Sequence, residues 1–245
     1  MQLPIYFFGD THFKVSKSNQ ENKKVEKFSK FLDSISKDNT KGSLFIMGDL
    51  FDYYFEYKNQ TSSDYEKIFT KIEGIKDKGF KIYFIAGNHD YWIGDYFKKY
   101  TTKTFLDDTS IDYKNNRIYV THGDGILSWD NSYRLLKRVL RSNIFIKMYS
   151  LLPKNIALKI AKKISHERKD SHYLDQEKIN RIHDELDSFA QQKIDGGFKY
   201  VIMGHYHHLY QKELNNGELI LLGECNEENY NYAMFDGDKL EIKNF

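Results

Sequence analysis

Five short apolar runs punctuate this chain, and each stops at a cluster of small, acidic and imidazole-bearing residues. Ile5-Tyr6-Phe7-Phe8 runs into Gly9-Asp10-Thr11-His12, Leu44-Phe45-Ile46-Met47 into Gly48-Asp49, and Ile82-Tyr83-Phe84-Ile85-Ala86 into Gly87-Asn88-His89-Asp90. Further on, Ile118-Tyr119-Val120 meets Thr121-His122-Gly123-Asp124, and Val201-Ile202-Met203 meets Gly204-His205-Tyr206-His207-His208. Apolar runs of this length, bounded by turn residues, read as buried strands. Between the first three runs the period changes from strand to helix. After a polar loop over Lys14 to Asn22, Val25, Phe28, Phe31, Leu32 and Ile35 recur at helical spacing. So do Tyr65, Ile68, Phe69, Ile72 and Ile75, behind a capping box of Ser63 and Glu66 and ahead of Gly79. Strand, helix, strand, helix, strand predicts a parallel sheet with crossover helices. The ligand site of such a sheet lies beyond the carboxyl ends of its strands, which is where the clusters fall.

The later pattern adds detail to this α/β reading. The aromatic stretch Asp52 to Tyr57 suits either core packing or the wall of a substrate groove. Gln176 to Gln192 reads as another amphipathic helix, Leu219 to Leu222 and Tyr230 to Phe235 as strands, and Asp236-Gly237-Asp238 as a hairpin turn into Leu240 to Ile242. No internal repeat or low-complexity linker divides the chain, so residues 1–245 are expected to form a single domain. Charge singles out one part of it. Between Asp130 and Asp170, eleven Lys or Arg face three acids, an excess of eight in a chain whose net charge is +2. The same segment is rich in Leu, Ile, Val and Met, too many for one helix stripe, and Pro153 is expected to separate two helices. We expect residues 127–172 to be a helical lid inserted in the domain. Apolar and cationic together, it suits an anionic lipid-like ligand or the face of an anionic membrane; an ordinary hairpin packed on the domain is the other reading. The small net charge gives no reason to expect nucleic acid. One cysteine, Cys225, fits a reducing compartment, and no run of about 20 apolar residues spans a bilayer. With no signal peptide legible, the expectation is a cytoplasmic protein able to rest on the inner membrane as a peripheral one.

Of nine histidines, six sit in the strand-end clusters: 12, 89, 122, 205, 207 and 208. One such turn alone would be ordinary loop chemistry; five in series are not. In this order the clusters resemble the signature of the calcineurin-like metallophosphoesterases. The resemblance implies a four-layer α/β/β/α sandwich around a dinuclear metal centre. It assigns Asp10, His12, Asp49 and His207 to one ion and Asp49, Asn88, His122 and His205 to the other, with Asp49 shared. Carboxylate, imidazole and amide oxygen suit Mn²⁺ first, or Fe²⁺ or Zn²⁺, rather than metals that want thiolates. His89 would serve as hydrogen-bond donor or general acid, and Asp90 would orient His89 or structure the turn. His208 reads as a surface residue, and His166, His172 and His183 as ordinary polar residues.

Within that superfamily the chain resembles the bacterial UDP-2,3-diacylglucosamine pyrophosphatases of lipid A synthesis. Gly48-Asp49-Leu50-Phe51-Asp52, Asp130-x-x-Tyr133, Leu222-Gly223 and Ala233-Met234-Phe235-Asp236-Gly237 carry this likeness. It implies substrate contacts at Asp130, Tyr133, Ser165, Arg168 and Lys169, a lid that houses acyl chains, and hydrolysis of an anionic lipid-linked nucleotide to UMP and 2,3-diacylglucosamine 1-phosphate. One departure is His89, where the best-known members carry Arg. Two other readings stay open: a phosphodiesterase or phosphatase for a soluble nucleotide or other phosphoester, and a non-catalytic scaffold. Oligomeric state leaves no signal in the sequence.

Overall fold

The computed structural model describes residues 1–15, 18–37, 41–56, 65–153, 156, 157, 159 and 176–245. The first three apolar runs form β1 (Ile5–Phe8), β2 (Ser43–Ile46) and β3 (Lys81–Ile85), linked by α1 (Asn19–Lys37) and α2 (Glu66–Asp77). After β3 come a short helix α3 (Asp95–Lys98), β4 (Lys103–Phe105), β5 (Thr109–Tyr113) and β6 (Asn116–Val120). Two helices, α4 (Asn131–Leu140) and α5 (Asn143–Tyr149), follow, then α6 (Gln176–Asp195), β7 (Tyr200–Met203), β8 (Tyr210–Leu214), β9 (Gly217–Leu221), β10 (Asn231–Phe235) and β11 (Leu240–Asn244).

The strands make two sheets, ordered β11-β10-β1-β2-β3-β4 and β5-β6-β7-β9-β8. β1 to β4 are parallel, as the alternation predicts, while β10 and β11 extend that sheet antiparallel. In the second sheet β6, β7 and β9 are parallel, with β5 and β8 antiparallel at the edges. Strand side chains alternate between faces, so β1 sends Ile5 and Phe7 to one core and Tyr6 and Phe8 to another. Between the sheets, Ile5, Phe7, Phe45 and Met47 meet Ile118, Val120, Ile202 and Ile220. Outside the first sheet lie Phe28, Phe31, Ile68 and Ile72 of α1 and α2; outside the second lie Ile182, Leu186, Ala190 and Ile194 of α6. This is a four-layer α/β/β/α sandwich, and burial on both faces is why the central strands read as unbroken apolar runs.

Five local readings change. α1 starts at Asn19, inside the expected loop, because the Ser18 hydroxyl accepts from the Glu21 amide at 3.2 Å and so caps a polar first turn. α2 begins behind Tyr65, whose side chain makes no cap bond, and Ser63 lies outside the described residues. Pro153 does separate α5 from helical residues at Ile156 and Ala157, but the segment after Asp130 also breaks earlier: Ser142 accepts from the Phe145 amide at 3.2 Å and caps a new helix, α5. β4, β5 and β8 were not legible, being short, polar edge strands whose pairing supplies what their composition lacks. α6 runs to Asp195, one turn beyond Gln192.

Candidate metal centre

The loops after β1, β2, β3, β6 and β7 converge at one end of the sandwich. From β1, Asp10 is fully buried; its Oδ2 accepts the His205 amide at 2.9 Å, while its Oδ1 has no hydrogen-bond partner. That oxygen lies 3.7 Å from His207 Nε2. His12 and His207 meet through their Nε2 atoms at 3.0 Å, and His12 Nε2 lies 3.9 Å from Asp49 Oδ2. On the other side of Asp49, its Oδ2 is 3.4 Å from His122 Nε2, which in turn is 3.2 Å from Asn88 Oδ1. His205 stands beside His122, ring centroids 5.2 Å apart. Donor atoms of Asp10, His12 and His207 fall within 4.8 Å of one another, as do those of Asp49, His122 and His205. The residues named for two ions are therefore gathered in two adjoining groups about Asp49.

The backbone is bent to do this. Asp10, His12, Asp49, His205 and His207 all have positive φ, between 45° and 76°. Non-glycine residues in that region cost free energy and persist where their surroundings over-determine them, most often at functional sites. Glycines make the room: a Cβ on Gly87 would lie 2.0 Å from Asp49 Oδ1, and one on Gly204 2.4 Å from Asp10 Oδ2. Asp90 is buried beneath the turn, where its carboxylate accepts from the amides of Gly87 at 2.9 Å and Leu50 at 2.7 Å, tying the β3 loop to the β2 loop. The ring of His89 is held elsewhere, its Nδ1 donating to the Asp52 carbonyl at 2.7 Å.

The donor set fits a pair of divalent cations. Burial pushes the Asp10 carboxyl up to about 8, His122 offsetting and Asp49 adding to the effect: a carboxylate with an orphaned, buried oxygen lacks a counter-charge. Burial also lowers His12 well below the usual imidazole value and His205 to about 3, keeping both rings in the neutral form that binds metal. His122 is the exception. Burial opposes its charge, but Asp49 outweighs it and raises the ring to about 10, so the pair shares a proton where an ion would sit. Its Nδ1 donates to the Met47 carbonyl at 2.8 Å, the support typical of a ligating histidine.

The family described as calcineurin-like phosphoesterase matches residues 3–209. The chain belongs to this family. It is a metal-dependent hydrolase, and its relatives include proteins named UDP-2,3-diacylglucosamine hydrolase. One from Neisseria meningitidis serogroup B is 26% identical over 237 residues, covering 96% of this chain and 95% of the relative. Another, from Haemophilus influenzae, is 30% identical over 192 residues and 78% of each chain; a third, from Porphyromonas gingivalis, is 26% identical over 99% of this chain and 98% of its own. Among solved structures, an archaeal phosphodiesterase aligns over 99% of this chain and all of its own, with a TM-score of 0.46 and 14% identity.

Beside the centre of this phosphoesterase opens a cavity of about 80 Å³. Asn88 and His89 form its inner end, Tyr53, Tyr91, Trp92, Phe145 and Tyr149 its aromatic walls, and Lys137 and Arg141 its cationic side. The aromatic stretch after Asp52 thus serves both readings given to it: Tyr54, 2% exposed, belongs to the core, and both it and Tyr53 line the cavity. Asp124 holds the cationic side. Its buried carboxylate accepts from Tyr133 Oη at 2.7 Å and pairs with Lys137 Nζ and Arg141 Nη2, both at 3.0 Å. Burial opposes its charge, but Arg141, His122 and Lys137 hold its carboxyl well below the usual range. Asp130 caps α4 by accepting from the Tyr133 amide at 3.1 Å, and the Tyr133 ring lies over His205. Ser165, Arg168 and Lys169 fall outside the described residues. Sequence reasoning passed over Asp124, Lys137 and Arg141. Their signal was there: Tyr133, Lys137 and Arg141 are spaced four apart on one helix face, after a strand end that carries Asp124.

Proposed function

We propose that this phosphoesterase cleaves the diphosphate of UDP-2,3-diacylglucosamine, releasing UMP and 2,3-diacylglucosamine 1-phosphate. The observation that carries this reading is the cavity beside Asn88 and His89, which is aromatic and aliphatic on most sides and cationic on one. A soluble nucleotide needs no such apolar chamber next to the reacting phosphorus; a diacyl sugar phosphate does. Two cations, Lys137 and Arg141, share the single buried carboxylate of Asp124, leaving positive charge for a substrate phosphate. The exposed Asp107 approaches Arg141 only to 3.9 Å.

In this reading Asp10, His12, Asp49 and His207 hold one ion and Asp49, Asn88, His122 and His205 the other, Mn²⁺ being the leading choice. Bound ions supply Lewis acidity at the phosphoryl oxygens and an acidified water. Asp49, between the two donor groups, would be the residue that both ions call on. His89 Nδ1 donates to a carbonyl, so only the imidazolium form carries a proton on Nε2. With a proton on Nε2 as well, His89 would donate to a phosphoryl oxygen or to the leaving group. Asp90 acts through the turn, by fixing the backbone that presents Asn88 and His89. In this reading the described part of the insert serves as the lid, and α4 and α5 leave Leu135, Val139, Ile144 and Met148 exposed while also carrying Arg134, Lys137, Arg138 and Lys147, as contact with an anionic inner-membrane surface requires. No helix among the described residues is long and apolar enough to cross a membrane.

Purified protein with Mn²⁺ and UDP-2,3-diacylglucosamine is expected to release UMP. Turnover of nitrophenyl phosphodiesters with no turnover of the lipid would assign the centre to a different phosphoester.

A further inference from the structure

A second pair of imidazoles stands apart from the dinuclear centre. His183, on α6, and His208, on the loop after β7, face each other through their Nε2 atoms at 2.7 Å. His208 Nδ1 donates to the Tyr206 carbonyl at 2.8 Å, as His122 Nδ1 does to Met47, which leaves Nε2 as the nitrogen facing His183. The His183 ring lies flat on Tyr210, centroids 3.8 Å apart and planes within 9°, and the Tyr210 hydroxyl donates to Asp187 one helical turn away. Both rings are thus fixed by other partners, and their Nε2 atoms meet in a hydrogen bond that a shared ligand would replace. The only other Nε2 pair so placed among the described residues is His12 and His207, at 3.0 Å in the metal centre. Burial first, then the neighbouring His208, keeps His183 below the ordinary imidazole value; Asp187 and Asp184 oppose this and Lys212 adds to it, so the ring favours the neutral form.

We infer that His183 and His208 form an accessory site for a transition-metal cation of the Zn²⁺ class. Imidazole nitrogen suits Zn²⁺, Ni²⁺ and Cu²⁺ and is a poor match for Mg²⁺ or Ca²⁺. The described residues bring no third His, Cys or carboxylate donor within 4.8 Å of both nitrogens, so water completes the shell and the acids Asp184 and Asp187 favour the positive charge from a distance. Occupation would tie α6 to the loop that carries His205 and His207. The inference concerns metal content and does not depend on which phosphoester is the substrate.

The test is equilibrium dialysis of the full chain against micromolar Zn²⁺, counting bound zinc per chain by mass spectrometry. Wild type is expected to hold one equivalent more than His183→Gln and one more than His208→Gln, while His183→Gln keeps its turnover of a nitrophenyl phosphodiester. Circular dichroism confirms that each variant is folded, and either folded variant suffices. Equal zinc content in wild type and a folded variant overturns the inference and leaves the pair as a hydrogen bond between two rings.

Discussion

Asp10 and Asp49 differ in what surrounds them, and that difference says what each residue of the centre should do when changed. Asp49 lies between both donor groups, whereas His89 stands at their edge: its ring meets His12 edge-on at 4.9 Å, its amide donates to Asp49 Oδ1, and its Nδ1 is engaged by the Asp52 carbonyl at the cavity. Asp49→Asn is therefore expected to lose bound metal and activity together, read by metal analysis of the purified variant. His89→Gln should keep its metal and lose about 100- to 10,000-fold in kcat, the range typical of a general acid. A variant of His89 emptied of metal would show that it is a ligand after all. Metal uptake should also depend on pH. Before an ion binds, the Asp10 carboxyl is pushed up to about 8 and His122 up to about 10, and both must release their protons to ligate. Mn²⁺ affinity is accordingly expected to weaken as pH falls from 8 to 6, measurable by titration calorimetry in buffers of different ionisation heat, with protons released on binding.

At the scale of elements, the decisive feature is how α4 is fastened to the strand ends. Asp124, two residues past His122, receives Tyr133, Lys137 and Arg141 from three successive turns of that helix. Asp124→Asn keeps the shape and removes the charge, leaving two cations poorly paired at the cavity wall. The expected result is a rise of about tenfold or more in KM for the lipid substrate, with a much smaller change for a nitrophenyl diester that does not fill the cavity; equal effects on both would mean that α4 plays no part in recognition. The helix itself was readable from its period. Its break at Arg141 and Ser142 was not, because a cap is a single hydrogen bond, made here by Ser142 to the Phe145 amide, and serines in many other places make none. Ser142→Ala should cost about 1 kcal/mol of stability in chemical denaturation.

For the whole molecule, the apolar side chains beside the cavity set a prediction about surfaces. Ile144 and Leu151 are 75% and 80% exposed, in a stretch that also carries Arg141 and Lys147. Sedimentation with vesicles rich in anionic lipid should carry the protein down, less so at high salt, and Ile144→Glu with Leu151→Glu should abolish it while nitrophenyl diester turnover persists. Undiminished sedimentation of the double variant would locate the membrane contact elsewhere. The sequence by itself determined the order of strands and helices, the two-sided burial of the central strands and the kinds of donor at each strand end, because period and residue type are local properties that every fold must respect. Tertiary structure alone decided which edge strands exist, that Asp90 braces backbone amides while Asp52 holds His89, and that Asp124 gathers the cations of α4. These depend on side chains and backbone from 9 to 40 residues apart being brought together, and packing, rather than propensity, chooses them.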